Sequence, residues 1–115
     1  MDWDTLRALD GDGVTIGAHT ASHPDLTLLP DDEAQEEVTS CRATLERELG
    51  HPVRAFAYPF GLYNRNVVEA AGDCGFEFGV TIEPGRAQGT HPMLELPRLT
   101  VDGREPFDVF ARLLA

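Results

Sequence analysis

Apolar residues along the chain recur in short runs whose spacing alternates between that of a strand and that of a helix. The clearest helical pattern covers residues 31–49, where apolar side chains three and four positions apart form one stripe. The stripe consists of Ala34, Val38, Cys41, Leu45 and Leu49. Acidic residues fill its first turn, where the helix dipole favours negative charge, and Gly50 follows its last turn. The pattern predicts one helix with a single buried face.

Four shorter apolar runs are typical of buried strands: residues 14–18, 53–58, 76–82 and 96–101. Further helices are predicted at residues 3–9, at residues 67–74 with Asn66 as the cap, and from Pro106 onward. Strands that alternate with helices imply right-handed crossovers and a parallel sheet. The pattern therefore predicts an α/β fold.

The predicted strands place two unusual segments at one edge of this sheet. His19 follows the first strand, and Tyr58-Pro59-Phe60-Gly61 follows the second. In parallel α/β folds, functional side chains gather at the carboxyl ends of the strands. We therefore expect the functional site where these two segments meet.

Composition narrows the class of partner. The chain has 115 residues, of which 42% are hydrophobic, and residues 1–115 are predicted to form a single domain. Its formal net charge is -11, which argues against nucleic acid or an anionic membrane as a partner. A neutral or cationic substrate fits this charge, and so does a role in solubility alone.

The cysteines and the chain start say little about location. Cys41 and Cys74 fall on the apolar faces of predicted helices, as buried free thiols or as a disulfide pair. No apolar run approaches the roughly 20 residues of a membrane span. The first residues have neither the basic start nor the apolar stretch of a signal peptide, so the chain as written is expected in the cytoplasm.

Residues His19-Thr20-Ala21-Ser22-His23-Pro24 contain two histidines four positions apart. If this loop curls as one helical turn, the two rings face the same side, roughly 6 Å apart. One zinc ion binds imidazole nitrogens at about 2.0–2.1 Å, so both rings could share it. The alternative is two unrelated surface histidines.

A second segment, residues 56–64, combines aromatic side chains with a Pro-x-Gly turn directly after a strand. Aromatic faces stack on sugar rings, and a glycine turn lets backbone N–H groups point into a cleft. A piece of hydrophobic core followed by a turn is the alternative interpretation.

Together these segments resemble the polysaccharide deacetylases of carbohydrate esterase family 4, the NodB-like domain. Residues 19–24 match the family's second motif, His-Ser/Thr-x-x-His-Pro, at every defined position. Phe56 to Gly61 is similar to its third motif, and Leu96-Pro97-Arg98 to the region of its fourth. The resemblance implies an incomplete, distorted (β/α) barrel with parallel strands. It also implies a hydrolase that removes acetyl groups from N-acetylated sugars with a divalent metal, commonly zinc.

The resemblance assigns roles to individual residues. His19 and His23 would be metal ligands, and the backbone N–H of Phe60 would help to hold the oxyanion. Tyr58, Pro59, Phe60 and Gly61 would line the substrate groove. The substrate would be an acetylated amino-sugar polymer or oligomer, and full-length relatives are often exported.

The chain also departs from the family pattern. The first motif, Thr-Phe-Asp-Asp-Gly, supplies the catalytic base and the third metal ligand in the family, and it is not in this sequence. Neither Asp10 nor Asp12 is a substitute, because both precede the first strand whereas His19 follows it, and they are expected to form a polar turn at the opposite end of the sheet. The third motif has Ala57 in place of an arginine, and no Leu-x-His motif follows Arg98. Arg98 is a candidate to reach the site, or else forms a surface ion pair.

These departures leave three hypotheses open. The chain is a deacetylase segment with weak or no activity by itself, a non-catalytic glycan- or protein-binding remnant, or a truncated reading of a longer gene. We also expect an exposed edge at the first strand, because the units that would precede it in the family barrel are missing. Self-association through that edge, or pairing with a separate chain, is the expected consequence.

Overall fold

The computed structural model describes residues 1–114, and Ala115 lies outside the described part of the predicted domain. Its helices are α1 (Trp3–Gly11), α2 (Asp31–Leu49), α3 (Arg65–Cys74) and α4 (Phe107–Leu114). Its strands are β1 (Ala55–Ala57), β2 (Phe78–Pro84) and β3 (Leu96–Arg98). Two short 3-10 turns cover Leu26–Leu28 and Pro59–Gly61.

The three strands form a parallel sheet in the order β1-β2-β3, in which Phe56 lies opposite Gly79. Before β1, Ala18 forms an isolated parallel bridge to Phe56 and so extends the same order by one position. The predicted α/β class with parallel strands is therefore confirmed.

The first predicted strand, residues 14–18, is reduced to this single bridge. The N–H of Ala18 donates to the carbonyl of Ala55 at 2.8 Å, and the Ala18 carbonyl accepts from Ala57 at 2.9 Å. Within the described residues the segment has a neighbour on one side only, and Gly17 adds no β-branched side chain to favour extended backbone. The remaining residues of the segment therefore run beside the sheet without strand pairing.

Helix α2 has the bounds that the apolar stripe predicted. Gly50 ends it in the left-handed conformation, with φ of 78°, and its N–H donates to the carbonyl of Glu46. The helix packs on helix α3 and buries Ala34 and Val38 in the hydrophobic core. The core cluster around them comprises Ala18, Leu26, Val53, Phe56, Tyr58, Val67, Ala71 and Phe76.

Helix α3 corrects the predicted cap. Asn64, not Asn66, is the N-cap: its Oδ1 accepts the N–H of Val67 at 3.0 Å, so the helix begins at Arg65. An N-cap side chain reaches the amide three positions later, and Val67 is that partner for Asn64. Asn66 itself lies in the first turn of the helix.

Other bounds move by a few residues. Helix α1 continues to Gly11, and strands β1 and β3 are shorter than the apolar runs that predicted them. Cys41 and Cys74 are free, half-buried thiols. In the part of the chain that the structure covers, no helix has the length and apolarity needed to cross a bilayer.

Polar contacts from Arg7 and Asp10 fasten helix α1 to the C-terminal end of α2 and to His51 just beyond it. The guanidinium of Arg7 donates from Nε to the carbonyl of Glu48 at 2.9 Å and pairs with the carboxylate of the same residue. Asp10 Oδ2 lies 2.7 Å from His51 Nε2. Asp10 is thus engaged with His51, at the opposite end of the sheet from His19, as the sequence predicted for this acidic turn.

Candidate functional site

His19 is held by the neighbouring strand. It follows Ala18 directly, and its Nδ1 lies 2.6 Å from the carbonyl oxygen of Ala57, at the end of β1. A carbonyl only accepts hydrogen bonds, so Nδ1 must carry the proton in this contact. The lone pair of the neutral ring is then on Nε2, which is the arrangement found in metal-binding histidines.

His23 lies beside His19. The ring centroids are 4.7 Å apart, and the ring planes are tilted by 56°. The expected helical turn does not form: Thr20 and His23 both have left-handed backbone, with φ of 70° and 60°. The rings converge because the chain reverses at these two residues, and Thr20 Oγ1 accepts the N–H of His23 at 3.0 Å.

Glu37, on helix α2, holds the two residues between the histidines. Its Oε2 accepts the N–H groups of Ala21 and Ser22, each at 3.0 Å, and its Oε1 accepts the Ser22 hydroxyl at 2.5 Å. The hydrogen bond from the Ser22 hydroxyl, followed by those from the two amides, lowers the pKa of the Glu37 carboxyl. Sequence reasoning missed this residue.

The turn after β1 presents an aromatic ring to the histidines. Phe60 has left-handed backbone with φ of 59°, the residue is 57% exposed, and its ring meets His23 edge-on at a centroid distance of 4.6 Å. Gly61 follows with φ of 68°, and a Cβ there would lie 2.3 Å from Cγ1 of Ile82. The close approach to Ile82 therefore requires glycine.

Tyr58 and Pro59 are part of the core below this turn. The Tyr58 side chain is fully buried, and its hydroxyl donates to the carbonyl of Leu94 at 2.7 Å. Burial raises the pKa of this hydroxyl. Of the four residues predicted to line a groove, Tyr58 and Pro59 thus support the turn from below, and Phe60 and Gly61 carry its accessible surface.

Arg98 lies away from the histidines. It is exposed on β3, and its Nε donates to the carbonyl of Thr81 on β2 at 2.6 Å. Strand β2 separates β3 from β1 and from the Ala18 bridge. The structure therefore pairs Arg98 with backbone rather than with the His19–His23 pair, and its catalytic role stays a prediction.

An acidic cleft of about 720 Å³ lies next to the histidine loop. It is lined by Ser22, Pro24, Leu29, Asp32, Glu33, Glu36, Glu37 and Ser40. Among residues 1–114, however, no cluster of three or more histidine, cysteine or acidic side chains has the arrangement of a metal site. The described residues thus bring together two candidate ligands, His19 and His23.

Comparison with known proteins shows the family of the chain. The family model described as Polysaccharide deacetylase matches residues 1–79. The protein named Putative polysaccharide deacetylase YxkH of Bacillus subtilis (strain 168) is 29% identical over 98 residues, which are 85% of this chain and 35% of YxkH.

Two solved structures share the fold. The Streptococcus pyogenes deacetylase PplD, in complex with acetate, superposes with a TM-score of 0.95 at 23% identity, over 100% of this chain and 51% of PplD. BC0361, a polysaccharide deacetylase from Bacillus cereus, has a TM-score of 0.90 at 25% identity, over 100% of this chain and 37% of BC0361. The chain thus spans between about a third and a half of these relatives. It belongs to the polysaccharide deacetylase family and has part of the fold of these solved deacetylase structures.

Proposed function

We propose that this chain contributes the metal-binding loop and part of the substrate surface of a deacetylase that acts on N-acetylated sugars. The observation that carries the proposal is the convergence of His19 and His23, with ring centroids 4.7 Å apart, at the carboxyl edge of a parallel sheet. Membership of the polysaccharide deacetylase family supports an acetylated polysaccharide as the substrate class.

The donor chemistry of the pair fits a divalent metal. Imidazole nitrogens suit zinc and its neighbours in the first transition series. The Ala57 carbonyl already accepts a hydrogen bond from Nδ1–H of His19. Nε2 therefore carries the lone pair that this ring can offer to a metal. When bound, the metal would polarise the acetyl carbonyl and lower the pKa of a bound water.

The turn at Phe60 would form the substrate side of the site. Its ring is exposed and touches His23, so a sugar stacked on this ring would lie beside the metal-binding pair. The backbone N–H of Phe60 is proposed to donate to the oxyanion that develops on the acetyl group. The left-handed conformation of Phe60 and Gly61 sets the direction of both groups.

A second function is favoured by the small number of ligands. Catalytic zinc sites usually have three protein ligands and a general base, and the described residues of this chain supply two candidate ligands. A domain of this kind would bind glycans or a protein partner without hydrolysis. We expect the 115-residue chain alone to have weak or no activity.

Calorimetric titration of the chain with ZnCl2 tests the metal proposal. We expect uptake by the wild type, loss of uptake in His19→Ala and His23→Ala, and unchanged uptake in the control His91→Ala. His91 is a suitable control because it lies in a loop, where its Nδ1 accepts the N–H of Gln88 at 2.9 Å. Equal heats from wild type and His19→Ala would refute the shared metal site.

Acetate release from chitooligosaccharides in the presence of zinc then separates the two functions. Release that disappears in His19→Ala would support the deacetylase. Sugar binding without release, measured by a change in tryptophan or tyrosine fluorescence, would support the non-catalytic domain.

A further inference from the structure

We propose that Glu37 is a positioning residue for the His19–His23 pair, an inference that rests on the proposed metal-binding function. In the described part of the chain, the hydrogen bonds of Glu37 go to the loop and not to either ring. Its carboxylate instead binds the backbone of Ala21 and Ser22, the residues midway between the two histidines. Its action on a metal would therefore pass through the loop conformation.

The bonding pattern of Glu37 is that of a fixed clamp. One carboxylate accepts three hydrogen bonds, two from consecutive backbone amides and one from the Ser22 hydroxyl, at 2.5 to 3.0 Å. Hydrogen bonds to an ionised acceptor are about twice as strong as neutral ones. The clamp thus joins the loop to helix α2, whose inner face is anchored in the core by Ala34 and Val38.

The loop needs such an external hold because its own conformation is unfavourable. Thr20 and His23 flank the clamped residues, and both have positive φ. This region of backbone is uncommon for residues other than glycine, and it is a genuine outlier for a β-branched residue such as Thr20. Conformations of this kind persist only when the surrounding contacts impose them. The bond from the His23 N–H to Thr20 Oγ1 provides one such contact, and Glu37 provides three.

The chemistry of the clamp predicts which substitution weakens it. An ionised carboxylate only accepts hydrogen bonds, and all three partners of Glu37 donate to it. Glu37→Gln keeps the length of the side chain but removes its charge and one acceptor oxygen, so the charge-assisted bonds to the two amides become weaker, neutral ones and the Ser22 hydroxyl loses its acceptor. Glu36 is the matched control, because it is the preceding residue on α2, is exposed and lines the same cleft.

The experiment compares wild type, Glu37→Gln and Glu36→Gln in two measurements. Zinc affinity is measured by calorimetry, and NMR records amide hydrogen exchange at Ala21 and Ser22 together with the ring signals of both histidines. For Glu37→Gln we expect roughly a tenfold weaker zinc affinity, as for other residues that orient metal ligands, with faster amide exchange and shifted ring signals. Glu36→Gln should match the wild type in both measurements.

A further variant guards against a general loss of structure. Ser22→Ala removes the hydroxyl donor and leaves both amide bonds to Glu37, so it should weaken zinc affinity less than Glu37→Gln does. The thermal midpoint of the metal-free Glu37→Gln protein should lie within a few degrees of that of Glu36→Gln, because Glu37 is only half-buried.

The possible results separate the two proposals. If wild type and Glu36→Gln bind zinc and Glu37→Gln binds it equally well, the positioning role is refuted and the metal site stands. If no variant binds zinc, the metal proposal fails, and the ring signals still test the clamp. Unchanged ring signals and amide exchange in Glu37→Gln would then overturn it.

Discussion

The imidazole Nδ1 of His19 donates to the main-chain carbonyl of Ala57 at 2.6 Å, and this bond links the first candidate ligand to the last residue of β1. Ala57 also donates its own N–H to the carbonyl of Ala18. The ring is therefore tied to the residue that also supplies one of the two hydrogen bonds of the bridge between Ala18 and Phe56. The orientation of His19 is a property of the sheet rather than of a free loop.

This contact predicts the tautomer of His19. When the His19 ring is neutral and no metal is bound, we expect its proton on Nδ1, because the Ala57 carbonyl can only accept a hydrogen bond. Long-range nitrogen–proton NMR correlation of the imidazoles at alkaline pH measures the tautomer directly. A ring protonated mainly on Nε2 would contradict the hydrogen bond and would leave the wrong nitrogen free for a metal.

Glycine at position 79 is predicted to be required for packing under the Phe60 turn. A Cβ there would lie 2.6 Å from the Leu94 carbonyl oxygen and 2.9 Å from the Tyr58 hydroxyl. Gly79→Ala should therefore force these two groups apart and lower the free energy of unfolding by about 1–3 kcal/mol, as overpacking does.

Urea unfolding of Gly79→Ala beside Gly89→Ala measures this effect. Gly89 is the matched control, since a Cβ at that position meets no atom within 4 Å. A Gly79→Ala protein as stable as the Gly89→Ala protein would show that β2 and the Leu94 segment adjust without cost.

The contact between Asp10 and His51 should make part of the stability depend on pH. The hydrogen bond with the Pro52 carbonyl, followed by the hydrogen bond with Asp10, raises the pKa of His51 above its usual 6.5. Because the folded pKa lies above the unfolded one, this stabilisation is fully present below pH 6.5 and is lost as pH rises through the folded pKa.

Thermal unfolding of wild type and Asp10→Asn at pH 5.5 and pH 8 tests the direction of this effect. We expect the wild type to exceed Asp10→Asn by more at pH 5.5 than at pH 8. His51 and Asp10 are both in contact with solvent, so the difference should also shrink in high salt. A larger difference at pH 8 would contradict a stabilising contact between Asp10 and protonated His51.

The open side of the Ala18 segment is predicted to promote association between chains. Ala18 bridges to β1 on one side, and a groove of about 530 Å³ lined by Trp3, Gly17, Cys41 and Leu45, among others, lies close to it. Exposed sheet edges pair with other chains, and a lysine on the edge opposes such pairing.

Size-exclusion chromatography with light scattering should therefore find dimers or larger species that dissociate on dilution. Val14→Lys, at a position 48% exposed beside this edge, should shift the distribution toward monomer. A wild type that stays monomeric at high concentration would exclude association through this edge.

The sequence predicted most of the secondary-structure elements whose bounds depend on residues within or next to the element. The bounds of α2 follow from one periodic stripe, an acidic first turn and Gly50, all of which act within the helix itself. The cap of α3 was misplaced by two residues, because Asn64 and Asn66 are both suitable caps and only the contact with Val67 separates them. Local patterns thus located the helix but not its first residue.

The candidate site could likewise be predicted only in part, because spacing does not show contacts between residues distant in sequence. The spacing of His19 and His23 indicated that the rings would meet, and they do. The rings come together because Thr20 has left-handed backbone, a conformation that is unfavourable for a β-branched residue. The loop is also held by Glu37, which lies 14 positions beyond His23 in sequence. Neither is visible in the spacing alone. The position of Glu37 next to Val38, at the margin of the α2 stripe, was the available signal for this residue.

The all-parallel strand order has one more consequence. The Ala18 bridge and the strands β1, β2 and β3 all end at the same edge of the sheet. Residues that follow neighbouring strands therefore lie next to each other along that edge. A further parallel strand laid against the vacant flank of Ala18 would end about 4.8 Å from it, the ordinary separation of adjacent strands. Its final side chains would emerge directly alongside His19, so a strand at this edge would add its own residues to the proposed site.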